Sequence, residues 1–210
     1  MSDRRVAAIP VQKRGEVLLD AHVHGLMVDD RKEDAAGAWA LVRQGVLTRL
    51  QQAQALFPGG VQLLFIEGYR PPSLRRRYFE EYSDELARAH PDRQAAAIRE
   101  AASRFVSPPE IAPHPAGAAV DVTLVDHRGR ELDMGTRVNA SPEASSGACY
   151  TDAPNLSARA RTNRAALGGA LSTAGLINYG TEWWHWSFGD RCRALQTRQP
   201  AALYGPVELP

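Results

Sequence analysis

Residues 118–126 read Ala-Ala-Val-Asp-Val-Thr-Leu-Val-Asp (AAVDVTLVD), and their alternation sets the architecture. In an extended chain Ala118, Val120, Val122 and Leu124 fall on one face, and Ala119, Asp121 and Thr123 on the other. This predicts a half-buried strand whose second face is small and polar around Asp121. Downstream, Arg128-Gly129 suggests a turn into a partner strand, and residues 141–155 form a Pro/Ser/Gly loop. Ser157 to Ala174 then predicts a helix closed by Gly175, and LINYGTEWWHWSF (176–188) is β-rich in composition.

Upstream, SPPEIAPHPAG (107–117) carries four prolines and excludes regular structure. A helix is expected from Asp92 to Phe105. An earlier one, capped by Ser73, carries Leu74, Tyr78, Tyr82 and Leu86 on one side, with Arg75, Arg76 and Arg77 largely on a solvated face. VQLLFIEGYR (61–70) is a short apolar run between glycines and predicts a buried strand that delivers Glu67, Tyr69 and Arg70 to its end. From Trp39 to Phe57 the positions Val42, Val46, Leu50, Ala53 and Phe57 give an amphipathic stripe that Pro58-Gly59-Gly60 ends. Residues 1–38 are expected to be irregular. Helices and strands do not alternate as βαβ, so the fold expected is α+β, with a small, mainly antiparallel sheet flanked by helices.

A chain of 210 residues with 44% hydrophobic content suits a single domain over 1–210. Its formal net charge of +1 gives no bulk field to attract nucleic acid or an anionic membrane. No run approaches the ~20 apolar residues of a membrane span, and MSDRRVAAIPVQKRGEVLLD has no apolar stretch of signal-peptide length, so a cytoplasmic protein is expected. Cys149 and Cys192 are neither a disulfide scaffold nor a zinc knuckle and are read as ordinary thiols.

Chemistry concentrates in His114, Asp121, Glu182 and His185. Two histidines and one carboxylate form a ligand set for a catalytic zinc, which keeps a further position open. The H-x6-D spacing of His114 and Asp121 recurs in His22 and Asp29, so alone it carries little weight. Glu182 and His185 are three apart and point to opposite faces of a regular strand; they converge only if the chain bends after Gly180-Thr181. With that bend, Glu182 stands as general base for a water that the ion acidifies. Trp183, Trp184 and Trp186 then form a dry, rigid wall around the ligand ring. The same residues also suit an aromatic core holding a satisfied histidine. Arg70 fits an oxyanion partner, and equally a surface ion-pair residue.

Taken in order, EGYRPP (67–72), H-PAGAAV-D (114–121), MGTR (134–137) and EWWH (182–185) resemble the zinc D-alanyl-D-alanine dipeptidases of vancomycin resistance and cell-wall recycling. The similarity runs over about 61–188, the family-like catalytic core. It implies one zinc ion per chain on His114, Asp121 and His185, with Glu182 as catalytic base and Arg70 as transition-state cation. It also implies an α+β fold with the zinc site at the sheet, and D-Ala-D-Ala or a closely related small peptide as substrate. Relatives usually carry S-x-H-S-R-G-x-A-x-D and, after Met-Gly, Phe-Asp. This chain has Ala112, Pro115 and Ala116 in the first motif and Val138-Asn139 in the second, where an acidic residue would suit a substrate ammonium.

Other readings keep the metal. One is a zinc carboxypeptidase on longer peptidoglycan stems, or a substrate-shifted peptidase or amidase; another is a non-catalytic zinc-stabilised binding module, although structural sites are usually closed and cysteine-rich. His22 and His24 form an H-x-H pair of the kind found in barrel amidohydrolases, a fold of about 250 residues that this chain cannot supply. They are read as peripheral or substrate-loop residues.

Overall fold

The computed structural model describes residues 4–12, 14–102 and 111–209. In chain order it contains α1 (Arg4–Ala8), β1 (Leu18–Asp20), β2 (Met27–Val28), β3 (Leu41–Arg43), α2 (Gln44–Gln54), β4 (Val61–Glu67), α3 (Pro72–Ala89), α4 (Ala95–Ala102), β5 (Ala119–Asp126), α5 (Ala158–Thr173), β6 (Ile177–Tyr179), β7 (Glu182–Ser187) and α6 (Arg191–Gln196). The fold is α+β. Five strands form one sheet in the order β2-β4-β5-β7-β6. Only β2 runs parallel to its neighbour, so the sheet is mainly antiparallel, as the element order predicts.

The chain divides into two compact units. The first comprises Glu16–Tyr69 and Ala118–Phe188 and contains the whole sheet, the β1–β3 ladder, α2 and α5. Strand β5 lies at its centre. Val122 and Leu124 face Phe65 and Leu63 of β4, while Val120 faces Trp186 of β7. All six are buried, each contributing roughly 1.5–3 kcal/mol. Gly168 of α5 packs on Trp186 of this face, and α2 packs on α5. The opposite face of β5 is buried too: Asp121 is 2% exposed and Thr123 0%, whereas alternation had predicted a half-buried strand. Alternation reports the polarity of a face, not whether something covers it.

Tertiary pairing also corrects the helix expected over Trp39–Phe57. Residues 38–40 form a 3-10 turn and Leu41–Arg43 a strand, so α2 begins only at Gln44. The carbonyls of Trp39 and Leu41 accept from the N–H groups of Gly68 and Tyr69, and β3 pairs with β1, which commits these residues to an extended path. At α5 the expectation holds: the Ser157 hydroxyl accepts from the Ala160 N–H, and Gly175 closes the helix with φ of 87°. The turn at Arg128-Gly129 forms, but its partner strand shrinks to a single bridge between Val125 and Glu131.

The second unit comprises Met1–Gly15, Arg70–Gly117 and Gly189–Pro210. Within it α1 packs on α6 and α3 on α4. Helix α3 starts one residue earlier than the expected cap, with Pro71 at the cap position and no side-chain cap; Ser73 lies inside the first turn, and its hydroxyl donates to Glu208 at 2.9 Å. Its buried residue is Phe79, and Tyr78 of the expected stripe is exposed. The expected helix over Asp92–Phe105 appears as α4. Residues 103–105, and 107–110 of the proline-rich loop, lie outside the described residues. Among the described residues no helix is long and apolar enough to cross a membrane.

Two predictions follow from local geometry. A Cβ at Gly68 would press on the Leu41 carbonyl oxygen and come 2.7 Å from Phe65 Cζ; Gly68→Ala should lower unfolding stability by about 1–3 kcal/mol in urea denaturation. The Asp126 carboxylate accepts from the Arg130 side chain and from the backbone N–H groups of Arg130 and Arg128, which hold its pKa down to about 2. Because the folded value is depressed, the stability this pair contributes is present above the ordinary carboxylate range and lost as pH falls through about 2. NMR titration of Arg130→Ala should show the Asp126 pKa rising.

Candidate metal centre

Strand register assembles most of the site. In the antiparallel β5–β7 ladder Asp121 stands opposite His185, and the His185 Nδ1 lies 3.0 Å from the Asp121 Oδ1. Both residues are buried. Across the other ladder, Glu67 of β4 stands opposite Asp121. A register shift between Phe65 and Glu67 puts it there; without the extra residue Ile66 would take that place. Glu67, Asp121 and His185 thus form one row across three strands, on the face shared with Thr123. Sequence reading assigned Glu67 no role, although its position at the end of an apolar strand was visible.

His114 begins a 3-10 turn, His114–Ala116, closed by Gly117 with φ of 64°, whose N–H donates to the His114 carbonyl. That left-handed residue turns the chain directly into β5, so His114 and Asp121 are joined by a short, folded link. His114, Asp121 and His185, all buried, each offer one ligand atom, and these atoms lie within 4.8 Å of one another. The Arg70 N–H donates to the His114 carbonyl at 3.4 Å, and its guanidinium lies 5.9 Å from the Tyr78 ring centroid. His22 belongs elsewhere: its Nδ1 lies 2.9 Å from Asp20 Oδ1, and its ring meets Trp39 edge-on. Neither His22 nor His24 joins the ligand group.

Glu182 and His185 approach through an irregularity inside β7, whereas Gly180-Thr181, where the bend is expected, form the turn between β6 and β7. Asn178 of β6 pairs with Trp186, but the next residue, Tyr179, pairs with Glu182, leaving three β7 residues, Trp183 to His185, without a facing β6 residue. This bulge brings the Glu182 Oε2 to 4.0 Å from the His185 Nδ1. The Glu182 side chain is 31% exposed against 8% for His185, so the carboxylate stands at the rim of a buried ligand set.

The tryptophans pack as core aromatics. Trp183 and Trp184 meet edge-to-face at 5.5 Å, and the Trp183 indole N–H donates to Thr136 Oγ1 at 2.8 Å. The Trp186 indole donates to the Trp183 carbonyl, and Tyr179 meets the His185 ring edge-on. They are core residues, and as such they fix the strand that carries the ligand. Arg164 was missed entirely. Its guanidinium lies 5.3 Å from the Trp183 ring centroid and donates to the carbonyls of Met134, Ala148, Tyr150 and Thr151. Burial pushes its pKa down to about 10, which leaves it cationic at neutral pH. The available signal was its place on the apolar stripe of α5, with Ala160, Leu167 and Leu171.

The donors fit a divalent ion. Tetrahedral zinc with bonds of 2.0–2.1 Å sets its ligand atoms about 3.3 Å apart, close to the 3.0 Å between His185 and Asp121. Three N/O donors of this kind would leave a fourth position open on a tetrahedral ion.

The chain is 27% identical to the D-alanyl-D-alanine dipeptidase of Synechocystis sp. over 96% of both chains. It is also 27% identical to that of Escherichia coli, over 70% of this chain and 66% of the other. Among solved structures, the LD-carboxypeptidase LdcB shares the fold with a TM-score of 0.51 at 13% identity, over 91% of this chain and 76% of that one. The profile of the D-ala-D-ala dipeptidase family, Peptidase_M15, matches residues 19–201, so the chain belongs to that family and is a peptidase.

Proposed function

We propose that this peptidase is a zinc-dependent dipeptidase that hydrolyses D-Ala-D-Ala or a closely related small peptide. His114, Asp121 and His185 hold one zinc ion per chain, Glu182 is the catalytic base and Arg70 the transition-state cation. The observation that carries the reading is the convergence of three buried N/O ligands with a part-exposed carboxylate 4.0 Å from one of them. Support also comes from the two relatives named as D-alanyl-D-alanine dipeptidases.

Zinc bound there supplies Lewis-acid polarisation of the substrate carbonyl and acidifies water. Glu182 takes a proton from the attacking water as its oxygen bonds to the carbonyl carbon. It then passes that proton to the amine nitrogen as the C–N bond breaks. Arg70 offsets the negative charge that grows on the carbonyl oxygen. The indoles of Trp183, Trp184 and Trp186 limit water around the His185 strand, which strengthens these charge interactions.

In this reading 1–210 is one peptidase domain with 61–188 as its catalytic core, since every residue given a role lies between Arg70 and Trp186. The enzyme is cytoplasmic and acts on a small peptide from cell-wall turnover, with no nucleic-acid or membrane partner. One feature favours the alternative of a carboxypeptidase on longer stem peptides. Asn139, exposed at φ of 62°, offers no charge to a free substrate ammonium.

Zinc-loaded protein should release D-alanine from D-Ala-D-Ala, lose this activity to a chelator and regain it with added zinc. Glu182→Ala should keep about one zinc per chain by atomic emission while kcat falls some 10²–10⁴-fold, whereas His114→Ala and His185→Ala should lose the metal itself. Cleavage confined to longer or N-blocked peptides would move the assignment to the carboxypeptidase, and one bound zinc with no peptide cleaved would sink both.

A further inference from the structure

We propose that Asn178 is a positioning residue of this site: its side-chain amide stands in for the missing β6 backbone along the bulge and so sets where the Glu182 carboxylate and the His185 ring lie. The inference rests on the zinc peptidase reading, but its geometry is independent of the substrate.

Between the pairs Asn178–Trp186 and Tyr179–Glu182, strand β7 has three residues that face nothing on β6. In a regular ladder the neighbouring strand's N–H groups would serve the carbonyls on that edge. A buried carbonyl left without a donor destabilises the fold, and the strand would move to find one. The Asn178 Nδ2 takes this place, 3.0 Å from the Glu182 carbonyl, 3.0 Å from the His185 carbonyl and 3.4 Å from the Trp183 carbonyl. Two hydrogens serve three acceptors, with Trp183 the weakest.

The amide cannot be turned the other way. Carbonyl oxygens only accept, so the NH₂ end must face them, and the Oδ1 then accepts from the Thr151 hydroxyl. Thr151 is placed in turn by its own N–H, which donates to the Gly180 carbonyl at 3.0 Å, while the Trp183 N–H donates to the Cys149 carbonyl at 3.1 Å. The loop at 149–151 therefore backs the bulge, and Asn178 links that loop to both ends of Glu182–His185.

Few side chains can do this. Aspartate would turn acceptors towards three acceptors, alanine would remove the amide donor from all three carbonyls and leave that of Trp183 with the Trp186 indole, and glutamine would push its amide one methylene too far. Residues that orient metal ligands and bases without touching substrate commonly matter 10–100-fold, and displacement of a base by about 1 Å can cost 10²-fold.

The test uses the full-length chain as Asn178→Ala, Asn178→Asp and Thr151→Val, each loaded with Co²⁺ for its d–d absorption spectrum and with Zn²⁺ for kinetics on D-Ala-D-Ala. All three should keep one metal ion per chain. Both Asn178 variants should shift the cobalt bands and lower kcat about 10–100-fold, with KM changed less than about threefold. Thr151→Val, which removes only the hydrogen bond that orients the amide, should shift both in the same direction by less. Wild-type cobalt spectra and kcat in folded variants would overturn the proposal, as would a loss carried entirely by KM. If the Asn178 variants do not fold, Thr151→Val decides alone. If the wild-type protein cleaves no peptide, the functional reading fails, while the cobalt spectra still judge Asn178.

Discussion

The site depends on one constraint, the pairing of Asp121 with His185 across the β5–β7 ladder. Side chains on a strand alternate with period two, so a slip of one residue would send one of the pair to the opposite face. That face is the apolar one, where Val120 meets Trp186 and Val122 meets Phe65. Burial of Val120 and Trp186, the neighbouring pair in the same ladder, therefore fixes the register at which Asp121 and His185 oppose. The hydrophobic core and the ligand geometry are two sides of one sheet. The irregularities flanking the pair, a bulge in β4 and a larger one in β7, re-aim Glu67 and Glu182 without disturbing it.

The row Glu67–Asp121–His185 places two carboxyl groups out of bulk water on adjacent strands, where aliphatic side chains would cost less. Glu182 is spared this burial, its side chain staying 31% exposed, as the base role proposed for it requires.

Much of this was legible in the sequence because the relevant signals are local. Alternation gave β5, the apolar run gave β4, Ser157 and Gly175 bracketed α5, and the separation of Glu182 from His185 required a departure from regular strand, which the chain makes inside β7. The misreadings arose where distant partners decide. Residues 39–43 carry a helical stripe, yet Gly68 and Tyr69 take the carbonyls of Trp39 and Leu41; Ser73 is a good cap, yet the helix starts before it, at Pro72. Covering of the second face of β5, the row position of Glu67 and the carbonyl contacts of Asn178 leave no trace in composition or period, since each depends on the register between strands. Burial of Arg164 is not readable from its type, since arginines on helices are usually exposed.

Arg164 also bears on how the segment behind the site is fastened. Its forked guanidinium reaches carbonyls at residue 134 and at 148–151, joining two stretches that no covalent link connects. A lysine, with a single point of attachment, could not span the same set. The clasp does what a disulfide does in other loops but contains no bond that thiols can exchange. Reductants should therefore leave the fastening intact, whatever the redox state of the nearby Cys149.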